Sequence, residues 1–142
     1  MTTALIDTAT LLRTFLLSNS TLATAVSNRI WIGKVPDSEF GSMPRAALLI
    51  SPNTAIAEIG VPVYTERYDL YCYDDDLYNA WQVYRKLFNA LHRVGLQTVD
   101  TDKRIMQAWL VAGPTALLER DMGWPYVFSA FNVVWAEWAM AA

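Results

Sequence analysis

The feature that most restricts the fold of this chain is a long series of apolar side chains at three- and four-residue steps. The series comprises Leu77, Ala80, Trp81, Tyr84, Leu87, Phe88, Leu91 and Val94. This spacing places all of them on one wide face of an α-helix. We therefore predict a long amphipathic helix that ends at Gly95, and its apolar face requires a second layer of structure to cover it.

Charged side chains around this helix follow the polarity of its dipole. Asp74, Asp75 and Asp76 precede the helix, whereas basic residues lie toward its end. The three acids could instead hold a divalent cation, but consecutive residues point in different directions and no calcium-loop pattern follows them. We therefore interpret them as a helix cap and expect no metal site.

Much of the remaining chain favours β-structure. The predicted strands are residues 30–32, 46–51, 63–73, 105–111 and 126–138. The third alternates in polarity and has Tyr68, Leu70 and Cys72 on one face. Gly113 and Pro114 predict the end of the fourth strand, and with a turn at 121–125 they separate it from the fifth. We expect the last two strands to pair as a hairpin.

Shorter helices and loops account for the other segments. A first helix is predicted from Thr3 onward, with Ser20 as the N-cap of a second one that ends near Val26. The apolar stripe of the first helix is Leu5, Ala9, Leu12, Phe15 and Leu16. Residues 33–45 contain two glycines and two prolines and predict an exposed loop, and residues 53–62 predict a hairpin arm or a long turn.

Together these elements predict an α+β fold, a mostly antiparallel sheet with an N-terminal helix and one long amphipathic helix packed on it. The 142 residues contain no repeat, low-complexity tract or linker, so we expect a single domain spanning 1–142.

The composition points to contacts beyond the monomer. Hydrophobic residues make up 54% of the chain and charged residues only 18%, so large apolar side chains are expected outside the core, where a partner would cover them. The alternative is an aromatic-rich core with no such partner. The candidate interface residues are Ile56, Ile59, Phe40, Met43 and Trp31.

Residues suited to catalysis are scarce. His92 is the only histidine and Cys72 the only cysteine, and no nucleophile-elbow, phosphate-loop or dinucleotide pattern is present. We expect His92 to be solvated near a helix end and Cys72 to be a small core residue. We therefore predict no enzyme activity, no catalytic residues and no cofactor.

Charge also limits the choice of partners. The chain has a net charge of −3, whereas a dedicated nucleic-acid binder is expected to be basic. One basic helical face is nevertheless predicted, and it consists of Arg85, Lys86 and Arg93 together with Asn89 and His92. That face suits phosphate or an acidic partner, or is simply solvated. No apolar run reaches the roughly 18 to 20 residues that a bilayer requires, so we expect no membrane contact.

The order of elements resembles that of the tail-completion, or tail-terminator, proteins of long-tailed phages. The resemblance rests on Asn28-Arg29-Ile30, the apolar strand 46–51, and the aromatic strand 68–73 that leads through an acidic turn into the helix at Leu77. It implies a ring, usually of six subunits, that caps the tail tube, meets the head-side connector and lets DNA pass through its lumen without specific binding. It also implies residence at the head–tail junction of a virion, after synthesis in the host cytoplasm.

Three other functions remain open from the sequence. One is a different neck or tube component, such as a head-closure or tail-tube protein. Another is a nucleic-acid-binding module that stacks bases on strand aromatics while the basic helical face follows the phosphates. The last is an enzyme whose site assembles only between subunits.

Overall fold

The computed structural model describes residues 7–57, 63–100 and 103–137 of the chain. Its helices are α1 (Thr8–Leu17), α2 (Ser20–Ala25) and α3 (Leu77–Leu91), with a short 3-10 helix at Asp37–Ser42. Its strands are β1 (Ile30–Ile32), β2 (Ala47–Ala57), β3 (Val63–Tyr73), β4 (Gln97–Asp100), β5 (Lys103–Leu118) and β6 (Pro125–Glu137).

The strands form one six-stranded sheet in the order β1-β2-β3-β6-β5-β4. Only β1 and β2 run parallel, and all other neighbours are antiparallel. The expected hairpin of the last two strands is therefore present, with β3 on its other side. This architecture confirms the predicted α+β fold with a mostly antiparallel sheet.

All three helices pack on one side of the sheet, which we call the covered face. Leu70 and Phe131 from the strands meet Leu12 of α1 and Leu87 of α3 there, and each is fully buried. Tyr68, Leu70 and Cys72 all belong to this core, so the alternation predicted for β3 is confirmed. Burial of each large apolar side chain contributes roughly 1.5 to 3 kcal/mol, so this face supplies most of the hydrophobic stability.

The long helix is confirmed, but the prediction that it extends to Gly95 is wrong. α3 ends at Leu91, because His92 is extended and Arg93 has a φ of +59°. The Arg93 amide then donates a hydrogen bond to the Ala108 carbonyl of β5 at 2.7 Å. A tertiary contact therefore ends the helix one turn before the local apolar pattern does.

The prediction that Gly113 and Pro114 end a strand is also wrong. β5 continues through them to Leu118, with register shifts against β6 on both sides of Ala112. Gly113 has a φ of +80°, and a Cβ there would lie 2.7 Å from the Phe128 carbonyl oxygen. The segment is a β-bulge that only glycine fits, so a turn signal in the sequence marks an irregularity within a strand.

Three smaller predictions also need correction. The strand predicted at 46–51 extends to Ala57, so residues 54–57 pair with β3 in a hairpin, in agreement with the expected hairpin arm. Residues 58–62 lie outside the described residues. Asn19, rather than Ser20, caps α2 by accepting a hydrogen bond from the Leu22 amide. The loop at 33–45 contains the 3-10 helix and a buried Val35, and β4 was not predicted. The expected helical residues before Asp7, Leu5 included, lie outside the described range.

Candidate assembly surface

Aromatic side chains line the side of the sheet opposite the helices, which we call the open face. The rings touch in the order Phe40, Trp124, Tyr73, Tyr126, Tyr71 and Phe128, with centroid separations between 5.4 and 6.1 Å. We call these six residues the aromatic strip. It forms because Tyr71 pairs with Phe128 and Tyr73 with Tyr126 across β3 and β6, and directly paired residues share a face.

The strip is only partly covered by the protein itself. Trp124 and Tyr73 are buried in a second, smaller core, whereas Tyr71, Tyr126 and Phe128 are half-buried. The other buried members of this core are Val35, Ala47 and Leu49, so none comes from a helix. An aromatic surface of this kind, without a helical layer, is typical of a contact site for another protein.

Three of the predicted interface residues lie together at one end of this face. Trp31 and Met43 are half-buried against the second core, and Phe40 stacks on Trp124 while 41% of its surface stays exposed. Ile56 lies apart from them on β2, where its backbone pairs with Thr65. Ile59 is outside the described residues. The role of all five as an interface stays a prediction.

The charges near the strip include Glu119 and the pair of Asp69 and Arg67, whose Oδ1 and Nε atoms are 3.5 Å apart. Burial raises the pKa of Tyr73 to about 12, and Glu119 adds to the increase. Burial also raises the pKa of Tyr71, with Asp69 as the next cause. Both phenols therefore stay neutral at physiological pH and can donate hydrogen bonds.

The predicted basic face lies on the other side of the molecule. Arg85 is exposed and Lys86 half-buried on α3, which packs on the covered face, whereas Arg93 is exposed beyond the helix end. Arg85 and Asn89 border an open groove of about 420 Å³ between α3 and β5. The basic helical face and the aromatic strip therefore lie on opposite sides of the sheet.

The sequence predicted a solvated His92, but the structure shows two contacts of its ring. Its Nδ1 accepts a hydrogen bond from the Leu110 amide at 3.1 Å, and its ring stacks on Phe88 with 4.5 Å between centroids. Together with the Arg93 amide, it joins the end of α3 to β5. The residue is a structural link between α3 and β5.

A buried polar chain connects the N-terminal helix to the sheet on the covered face. The Trp135 indole donates a hydrogen bond to the Tyr68 hydroxyl at 3.0 Å, and that hydroxyl donates to the Glu66 carboxylate at 2.8 Å. Thr8 of α1 donates to the same carboxylate oxygen. Burial raises the pKa of Tyr68, so the phenol remains a donor. These bonds satisfy groups that would otherwise be costly to bury.

The acidic cluster acts as the predicted helix cap. The Asp76 carboxylate accepts a hydrogen bond from the Asn79 amide at 2.7 Å, and the Asp75 carboxylate accepts one from the Asn79 side chain. The latter bond lowers the pKa of Asp75. Within the described residues, no group of three or more His, Cys, Asp or Glu side chains could hold a metal ion.

The cysteine lies in the core of the covered face. Cys72 is a buried free cysteine, which confirms the interpretation as a core residue, and burial raises the pKa of its thiol. Of the helices that the structure describes, none is both long and apolar enough to cross a bilayer.

The aromatic strip itself was not predicted as a site. Its signal was present in the sequence, because Tyr71 and Tyr73 alternate with core residues in one strand, as Tyr126 and Phe128 do in another. Pairing of those two strands side by side could not be read from the local pattern. The register between β3 and β6 is what turns four separate aromatic residues into one surface.

Comparison with known proteins adds information about the fold. No protein-family model matches the chain, and no curated protein matches its sequence. Among solved structures, a chain of the "Virion of native gene transfer agent (GTA) particle" superimposes with a TM-score of 0.68 and 12% sequence identity. The match covers 89% of this chain and 92% of that chain. This protein is therefore similar in fold, over almost its whole length, to a chain of a gene transfer agent virion.

Proposed function

We propose that this chain is a non-enzymatic structural subunit of a phage-like virion that assembles as a ring. In this proposal the ring has six copies, terminates the tail tube and joins it to the head-side connector, and DNA passes through the lumen without specific binding. The unit is one tail-terminator-like domain spanning 1–142. It is made in the host cytoplasm and resides at the head–tail junction of the particle.

The observation that carries this proposal is the fold similarity to a chain of the gene transfer agent virion, which extends over about nine-tenths of both chains. The family resemblance of the sequence points in the same direction and adds the tail-terminator role. An open face with half-buried aromatic residues supports assembly, because such a surface gains stability when a partner covers it.

The geometry argues against a nucleic-acid-binding module. That function needs stacking aromatics and phosphate-binding cations along one path. On the open face, Arg67 forms a salt bridge with Asp69. Tyr71 and Phe128 lie on the open face, whereas Arg85 and Lys86 are on a helix of the covered face. A single strand cannot use both groups at once. A head-closure or tail-tube protein remains the second candidate, since it would use the same ring-building contacts with a different partner.

One part of the proposed ring contact is the segment 53–62. Ile56, near the end of β2, and Ile59, outside the described residues, belong to this segment. Burial of each against a neighbour would contribute about 1.5 to 3 kcal/mol, repeated in every subunit. Ile56→Asp combined with Ile59→Asp should leave thermal unfolding of the monomer nearly unchanged and abolish the ring, because unpaired carboxylates are costly to desolvate. Replacement of both by Val is the matched control and should retain the ring.

Native mass spectrometry and negative-stain imaging test the proposal directly. The purified protein should form a closed ring, alone at high concentration or when mixed with tail tubes, and rings should appear at tube ends. A strictly monomeric mass under both conditions would overturn the ring. Rings that stack along the tube instead of capping it would favour the tube component.

A further inference from the structure

The outermost strands, β1 and β4, are short, so each covers only part of the strand beside it, β2 or β5. β1 covers residues 48–50 of β2, and β4 covers residues 103–105 of β5. Beyond β4, the end of α3 occupies the Ala108 carbonyl and the Leu110 amide. Among the described residues, no strand pairs with the outer side of 51–57 or of 111–118. Two open edges of similar length therefore remain at diagonally opposite corners of the sheet.

The directions of these edges are complementary. β2, β3, β6 and β5 alternate in direction, so β5 runs opposite to β2. All copies in a ring have the same orientation about its axis, so β5 of one copy would lie antiparallel to β2 of the next. The diagonal position of the edges requires an offset along the strands, which tilted strands in a closed sheet provide.

The open part of β5 also exposes apolar side chains. Val111, Leu117 and Leu118 are 40%, 42% and 61% exposed, and Met122 in the next turn is 55% exposed. A long apolar edge is a site for pairing with another chain. The groove of about 420 Å³ between α3 and β5 runs beside it, and Pro114 belongs to its lining. Such a groove can receive a side chain from an added strand.

Charge favours a second copy as the occupant. In the described parts of 29–76, which include β1, β2 and β3, seven acidic residues accompany four basic ones. In the described parts of 77–121, which include α3, β4, β5 and the start of the next turn, six basic residues accompany three acidic ones. Contact between the β5 side of one copy and the β2 side of the next therefore brings unlike charges together, whereas contact between two β5 sides brings like charges together.

We propose that neighbouring subunits join head to tail by antiparallel pairing of the open β5 edge with the open β2 edge. Pro52 and Pro114 cannot donate backbone hydrogen bonds, so the pairing segments are 54–57 of one copy and 115–118 of the next. The sheet then continues around the ring, with helices on one surface and aromatic strips on the other. This inference rests on the proposed ring, and it identifies the residues that close it.

Cross-linking with a short bis-maleimide tests the pairing. Ala57→Cys and Thr115→Cys lie opposite each other when 54–57 pairs antiparallel with 115–118. Both are placed in one chain, and the assembled protein is treated with the reagent and analysed under denaturing conditions. Cys72 is buried and should not react. We expect a ladder of products from two copies up to the complete ring. Each single variant should remain monomeric. A control that combines Thr115→Cys with Thr21→Cys, at an exposed position of α2, should also remain monomeric.

The outcomes separate this inference from the proposed function. Rings without a ladder, or dimers from Thr115→Cys alone, would overturn the edge pairing and leave the ring intact. A protein that never assembles would overturn both. A second variant, Leu117→Asp with Leu118→Asp, places acids opposite the acidic β2 side and should weaken assembly by roughly tenfold or more while monomer unfolding changes little. Tyr78 is an exposed aromatic residue on α3, so Tyr78→Asp is the matched control and should assemble normally. Equal loss in both variants would contradict the inference.

Discussion

On the covered face Trp135 and Phe131 are fully buried, and the indole of Trp135 has a hydrogen-bond partner within the same chain. On the open face Tyr71 and Phe128 are half-buried and contact mainly other aromatic rings. Three of these residues belong to β6 and Tyr71 belongs to the neighbouring β3. The difference shows that the three helices complete one face, whereas only a loop and a 3-10 helix cover part of the other.

The largest expected effect of a substitution is on the covered face. Trp135→Ala removes a fully buried indole and leaves the Tyr68 hydroxyl without its donor. We expect a loss of about 3 to 5 kcal/mol in the free energy of unfolding, which is much of the stability of a domain this size. Chemical denaturation measures it. A loss below about 1 kcal/mol would mean that the two faces are more alike than their burial indicates.

A smaller loss is expected when only the hydroxyl of Tyr68 is removed. Tyr68→Phe preserves packing but leaves the Trp135 indole and the Glu66 carboxylate each without one partner. The expected cost is about 1 to 3 kcal/mol, because buried polar groups lose their bonds. Tyr71→Phe on the open face is the matched control and should cost under about 0.5 kcal/mol. Equal costs in the two variants would break the comparison.

Truncation on the open face should affect assembly more than folding. Phe40→Ala removes a ring that is 41% exposed and stacks on Trp124. We expect a loss of about 0.5 to 1.5 kcal/mol in monomer stability, since one exposed aromatic pair contributes that much. Sedimentation should show weaker self-association than in the parent protein. Unchanged association would show that this end of the open face is not part of the contact.

The smallest expected effect is at Ser129, where β6 contributes to the covered side of the sheet. Its hydroxyl is fully buried and has no hydrogen-bond partner among the described residues. Ser129→Ala removes that unsatisfied group with little change in volume, so stability should stay constant or rise by up to about 1 kcal/mol. Thermal unfolding measures the change. A clear loss of stability would indicate a hydrogen bond to this hydroxyl.

The sequence predicted the covered face well and the open face poorly. Tyr68, Leu70 and Cys72 were correctly assigned to the core, because alternation within one strand records which side is buried. The aromatic strip depends instead on register between β3 and β6, which are more than fifty residues apart. Helix α3 was predicted from periodicity, but its end was not, because Ala108 and Leu110 of β5 determine where it stops.

The candidate interface shows the same division. Phe40, Met43 and Trp31 were chosen as apolar residues expected outside the core, and the structure brings them together at one end of the open face. The extent of β5 beyond Val111, and with it the open edge, could not be predicted because Gly113 and Pro114 read as a break. Those two residues carry the same local signal in a turn and in a bulge, and only the pairing with β6 distinguishes the two.

Gly113 also bears on how relatives of this protein can be found. The shared fold persists at 12% sequence identity, so most side chains in it are interchangeable with others of similar size and polarity. At residue 113 the backbone itself excludes every side chain, because a Cβ would collide with the Phe128 carbonyl oxygen. Any relative that shares this bulge must therefore keep glycine at the equivalent of residue 113, whereas a core position needs to keep only the size and polarity of its side chain.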